Sequence, residues 1–135
     1  MRWRWSGGLV AAAALGCGGG AGGGSTTMAA YNPGRAPAEL QRGAALYGSY
    51  CASCHGALGK GQGLGPPLLD TLFLPARISD AQMTSAILAG SPQRHWNYGA
   101  MPPVTRVDPA EVPVVVAYVR WLQGGYHAGG TTGSP

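Results

Sequence analysis

Cys51-Ala52-Ser53-Cys54-His55 is the feature of this sequence that most narrows what the chain can become. Two thiols three residues apart, with an imidazole directly after the second, serve few purposes. A disulfide between the two thiols would leave His55 without a role. A thioredoxin-like redox pair needs a preceding strand in a βαβ frame, and no stretch of this chain alternates as a strand. A zinc site needs four ligands, and no second Cys or Cys/His pair stands at a suitable spacing. The reading that uses all three residues is a single covalent haem. Cys51 and Cys54 then add across its two vinyl groups, and His55 lies beneath the iron.

A chain of 135 residues has room for one domain. Its 24 Gly lie mostly at the ends, so the 45% of hydrophobic residues is concentrated in a compact middle. A core built from so short a stretch is marginal and usually relies on a bound group. A haem supplies one, because burying on the order of 500 Å² of macrocycle contributes roughly 10 kcal/mol. Charge excludes one class of partner. Without Arg2 and Arg4, seven basic residues face five acidic ones, a balance of +2. No basic stripe or run of like charge exists, so nucleic acid is not expected as a partner.

Residues 1–16 read as a signal peptide, with Arg2 and Arg4 before a short apolar stretch from Leu9 to Leu15. Spanning a bilayer takes about 20 apolar residues, and this stretch is far shorter. It ends at Ala14-Leu15-Gly16-Cys17, which resembles the lipobox of bacterial lipoproteins, although Ala14 stands where that pattern prefers Leu. The resemblance implies that Cys17 is lipidated and becomes the anchor to a membrane. An ordinary signal peptide cleaved nearby is the alternative. Residues 17–37 then read as the anchor cysteine and a flexible Gly-rich linker with a reach of roughly 25 Å, in which Met28 and Tyr31 are expected to be solvated.

The folded domain is expected over residues 38–125, with three or four helices and no sheet. Glu39 to about Tyr50 reads as a helix that places Gly43, Tyr47 and Cys51 on one stripe. Asp80 to Ala89 reads as a second, with Ser79 as N-cap, Gln82 completing a capping box and Gly90 just past its end. Asp108 caps a last helix that starts with Pro109, buries Val115, Tyr118, Val119 and Leu122, and stops at Gly124-Gly125. Lys60–Pro67 and Ser91–Val107 are Gly- and Pro-rich loops. Residues 126–135, including His127, read as a disordered tail.

Order and spacing of these pieces resemble the class I c-type cytochromes from Glu39 to Gly125. The resemblance is carried by Gly43-Ala44-Ala45-Leu46-Tyr47, by Cys51-Ala52-Ser53-Cys54-His55-Gly56 and by Gly65-Pro66-Pro67-Leu68. Gly99-Ala100-Met101-Pro102-Pro103 and Val116-Ala117-Tyr118-Val119 complete it. It implies an all-α class I cytochrome c fold wrapped around one haem. In that fold the first and last helices cross where a glycine meets an aromatic, here Gly43 against Tyr118 or Trp121. It also implies that the Pro66 carbonyl accepts a hydrogen bond from His55, and that Met101, followed by proline, is the sixth iron ligand. His95, six residues earlier in the same loop, is the rival. Met83, inside the middle helix, reads as core. Arg94, Trp96 and Tyr98 are placed to cover a haem edge.

An iron with both axial positions filled changes oxidation state with little rearrangement, which suits an electron carrier rather than an enzyme. The expected protein is a one-electron carrier on the periplasmic side of a bacterial membrane. Its partners would be a quinol-oxidising complex, a terminal oxidase or a dehydrogenase. The alternative is a haem peroxidase or gas sensor with an open sixth position, in which His95 or Arg94 acts on the bound molecule.

Overall fold

The computed structural model describes residues 27–129. The signal peptide, Cys17, the linker up to residue 26 and the last six residues lie outside the described residues. Within them the chain is helical, with no strand longer than an isolated bridge. Four α-helices follow in order: α1 (Gln41–Tyr50), α2 (Ala52–His55), α3 (Asp80–Ala89) and α4 (Val112–His127). Single 3-10 turns at Ala38–Leu40 and Pro109–Glu111 lead into α1 and α4, and a third at Thr71–Phe73 stands alone in a loop. The architecture is the all-α fold expected of the sequence.

Local chemistry accounts for the helix starts. The Ser79 hydroxyl accepts from the Gln82 amide at 3.2 Å, and the Gln82 side chain accepts from the Ser79 amide at 2.8 Å. This is the reciprocal capping that the Ser-x-x-Gln spacing predicts. Asp108 accepts from the Ala110 amide at 2.9 Å, and Pro109 costs nothing there because its missing N–H would have been unpaired. Gly90 ends α3 at φ 80°, a conformation that favours glycine.

The core forms where α1 crosses α4. A Cβ on Gly43 would overlap the Val114 carbonyl and sit 3.0 Å from Tyr118 Cβ, so these backbones meet only because the side chain is missing. Of the two aromatics expected at the crossing, Tyr118 is the one in contact. It stacks on Trp121 and lies 5.4 Å, centroid to centroid, from Tyr47 on α1. Val112, Val115, Val116, Val119 and Leu122 fill the rest of the interface and are all buried.

Two sequence expectations give way at the chain ends. Tyr31 is not solvated: it is fully buried, donates its hydroxyl to the Leu122 carbonyl at 2.8 Å and meets Tyr126 edge-on. Met28 also packs against the core, and the Lys60 ammonium donates to the Ala29 carbonyl at 2.9 Å. Residues 27–34 are therefore a strap on the domain and not part of the linker. Nor does Gly124-Gly125 stop α4, which runs on to His127, whose ring nitrogen bonds the Leu69 carbonyl at 2.9 Å. One contact explains both departures. A Cβ on Gly125 would lie 2.5 Å from the Tyr31 hydroxyl oxygen, so this glycine makes room for the strap instead of ending the helix.

Chemical denaturation of the holoprotein separates these roles. Tyr31→Ala should destabilise by about 3–5 kcal/mol, the range for a large buried ring. Gly43→Ala should cost roughly 3 kcal/mol through forced separation of the helices. Gly48→Ala, in the same helix with open space around it, should instead stabilise by about 0.5–1 kcal/mol.

Candidate functional site

Cys51 is both the residue that ends α1 and the one that precedes α2, so the motif begins where the core helix delivers it. The single turn of α2 is closed by the His55 amide on the Cys51 carbonyl at 2.9 Å. At positions i, i+3 and i+4, Cys51, Cys54 and His55 share one face of that turn. Neither Cys51 nor Cys54 is in a disulfide; Cys51 is buried and Cys54 exposed. Burial, with the neighbouring Cys54 thiol adding to it, pushes the Cys51 thiol up to about 11.

His55 is 8% exposed. Burial moves its pKa below the usual imidazole value, against the opposing pull of the Pro66 carbonyl. Nδ1 lies 2.9 Å from that carbonyl, and a neutral ring donates its proton there, leaving the Nε2 lone pair bare. The approach depends on the residue before Pro66. A Cβ on Gly65 would stand 3.1 Å from the Cys54 carbonyl oxygen and 3.2 Å from His55 Nδ1. The rest of that loop is tied down from α1, where the Tyr47 hydroxyl donates to the Gly56 carbonyl at 2.8 Å.

Met101 comes from a different segment of the chain. Its amide and carbonyl bond the carbonyl and amide of Ser91 at 2.8 and 2.9 Å, so the ends of a nine-residue excursion are pinned together directly after α3. The Val104 amide adds a bond to the Ile87 carbonyl at 2.8 Å. A Cβ on Gly90 would reach within 2.7 Å of the Met101 carbonyl oxygen, so the α3 C-terminus and the Met101 backbone are in close contact.

Cys51, His55 and Met101 all line a cavity of about 350 Å³. Its walls are largely apolar, with Leu72, Phe73, Ile78, Ile87, Val115 and Val119 prominent. A smaller space of about 60 Å³ is lined by Cys54, His55 and Met101. A flat apolar macrocycle held by two free thiols fits this donor set and these walls. Among the described residues, no group of three His, Cys, Asp or Glu side chains comes together, so a zinc site lacks its ligands.

The other residues singled out in the sequence fall at the same place. Arg94, His95, Trp96 and Tyr98 line the mouth, His95 exposed and Trp96 half-buried. Met83 is buried in α3 and also lines the cavity. Leu72, Phe73 and Ile78 were not legible as site residues. They sit in an irregular stretch without periodicity, and the only local mark is Asp70, whose carboxylate caps the Thr71–Phe73 turn through the Leu72 amide at 2.9 Å.

A known family matches this chain. The family model for cytochrome c matches residues 40–123, well over half of the chain. No curated protein matches it significantly.

The expected attachment through Cys51 and Cys54 has a direct test. Acid-acetone should fail to extract the haem, and a denaturing gel should retain peroxidase staining. Cys51→Ala with Cys54→Ala should lose both properties; release of free haem from the parent protein would contradict thioether attachment.

Proposed function

Because the chain belongs to the cytochrome c family, whose haem c is covalently bound and carries iron, we propose that it is a one-electron carrier with His55 and Met101 as axial ligands and thioether links at Cys51 and Cys54. Haem c would supply a one-electron couple at its iron, and Cys51, Cys54, His55 and Met101 would hold it. The observation that carries this reading is that His55 and Met101 line the same cavity. His55, its Nδ1 spent on Pro66, presents Nε2 as a donor, and the carbonyl raises its basicity. Met101 presents a neutral thioether, which favours the ferrous state and raises the potential. Its backbone is held by Ser91 before any metal is considered, and Pro102 and Pro103 stiffen the chain after it. With His55 and Met101 both holding the iron, a haem here would have no open position for substrate, and the protein would be a carrier rather than a peroxidase or gas sensor. His95 is exposed at the mouth, which suits a surface residue better than a ligand.

The carrier would work on the periplasmic side of a bacterial membrane, anchored through a lipidated Cys17. It would pass electrons between a quinol-oxidising complex or dehydrogenase and a terminal oxidase. Support for the anchor is the sequence around Cys17 alone. Two acyl chains make such an anchor stable where one is marginal.

Ferric holoprotein should show the weak near-infrared band of sulfur-to-iron charge transfer. Met101→Ala should abolish it and let the reduced form bind carbon monoxide, whereas His95→Ala should keep the band and change the potential little. A parent protein that binds carbon monoxide readily and lacks the band would instead be the peroxidase or sensor. For the anchor, the native intact mass should exceed polypeptide plus haem by that of the lipid, and Cys17→Ser should release the protein from membranes.

A further inference from the structure

The cavity wall between Leu68 and Ile78 has almost no secondary structure of its own. It contains one 3-10 turn, and the carbonyls of Leu68, Phe73 and Ile78 find their partners on another element. That element is α4. The Arg120 guanidinium donates through Nη1 to the Phe73 carbonyl at 2.7 Å and through Nη2 to the Ile78 carbonyl. Three residues on, the buried Gln123 donates through Nε2 to the carbonyls of Leu68, at 2.8 Å, and Phe73, at 3.1 Å. Gln123 in turn accepts from Arg120 Nη1 at 2.8 Å, so the two side chains form one ladder. A helical i, i+3 pair thus supplies the donors for these three carbonyls.

Arg120 also reaches the side of the site that carries Met101, by two routes. Its Nε donates to Asp80 Oδ1 at 2.7 Å, at the first residue of α3. The far end of α3 is the part in close contact with the Met101 backbone. Phe73, whose carbonyl Arg120 holds, stacks on Trp96 at 5.7 Å with the rings 8° apart, and Trp96 lies within the Ser91–Met101 excursion. The ion pair alone is weak, since the Asp80 side chain is 70% exposed. The carbonyl bonds are stronger, because the Arg120 side chain is only 15% exposed and its donors are charged.

We propose that Arg120 is a positioning residue for the sixth ligand: by fixing the 73–78 wall and the start of α3, it holds the Trp96 stack and the Met101 backbone in place. The inference rests on Met101 being the axial ligand. Without the guanidinium, the wall and the excursion open together and Met101 is displaced more easily by an external donor.

The test uses holoprotein of the full chain, as parent, Arg120→Met and Arg120→Lys. Imidazole is titrated into the ferric form well below the unfolding temperature, following the sulfur-to-iron band, and the reduction potential is measured on the same samples. Arg120→Met should bind imidazole at least about tenfold more tightly than the parent, the consequence of losing charged hydrogen bonds. Its potential should fall as water gains access to the site. Arg120→Lys, with a single point donor in place of the fork, should lie between the two. A residue that only stabilised the fold would lower the melting temperature and leave imidazole affinity and potential at parent values, and that result overturns the proposal. Should Arg120→Met yield no holoprotein, Arg120→Lys decides, and parent-like affinity and potential in it reject the inference. A parent lacking the band shows that the Met101 assignment has failed, and this inference with it. A parent with the band and silent Arg120 variants rejects only the role of Arg120.

Discussion

The contact between Gly43 and the backbone of α4 is the constraint on which the site depends. It sets how closely α1 and α4 approach, and therefore where α1 ends. Because Cys51 is the next residue, the approach also sets the position of both thiols and of His55. The same interface supplies the floor of the cavity, since Tyr47 on α1 and Val115 and Val119 on α4 face it. A side chain at position 43 would shift all of these together. Interiors pack too densely to absorb such a change locally.

Around that crossing, of the residues proposed to bind the metal, His55 ends α2 and Met101 is delivered by a loop, and the loops beside both are held from helices. His55 leans on the Pro66 carbonyl, in a loop tied to α1 by the Tyr47 hydroxyl and to the N-terminal strap by Lys60. Met101 is pinned behind α3. The irregular wall opposite is held from α4 by Arg120 and Gln123. Among the described residues no buried side-chain nitrogen or oxygen lacks a partner, although so little of the chain around the site is regular. Polar side chains on rigid helices replace the ladder that a sheet would have provided.

The strap gives α4 a further role. Its C-terminal turns carry the niche for Tyr31 and the bond from His127 to Leu69, so one helix fastens the N-terminal segment, the cavity wall and the crossing with α1. The buried face of α4 accordingly runs almost its whole length, from Val112 to Gln123.

What the sequence determined by itself was whatever depends on near neighbours. The Cys51–His55 spacing, the reciprocal caps of Ser79 and Gln82, the Asp108-Pro109 start and the apolar stripe of α4 all act within about a turn of helix, and each forms as the spacing predicts. Gly43 was readable as a crossing point only through the resemblance to the class I c-type cytochromes, since Gly48 in the same helix has open space around it. The tertiary structure alone decided the fates of Tyr31, Gly125, His127 and Arg120. Tyr31 sits in a stretch with the composition of a linker, and its partner carbonyl lies 91 residues away. Gly124-Gly125 has the composition of a helix stop, yet Gly125 serves a ring from the other end of the chain. Arg120 reads as one more surface charge until the fold brings the carbonyls of Phe73 and Ile78, 47 and 42 residues distant, to its guanidinium. A donor in sequence shows its chemistry but not its acceptor, and only closing the chain into three dimensions pairs the two.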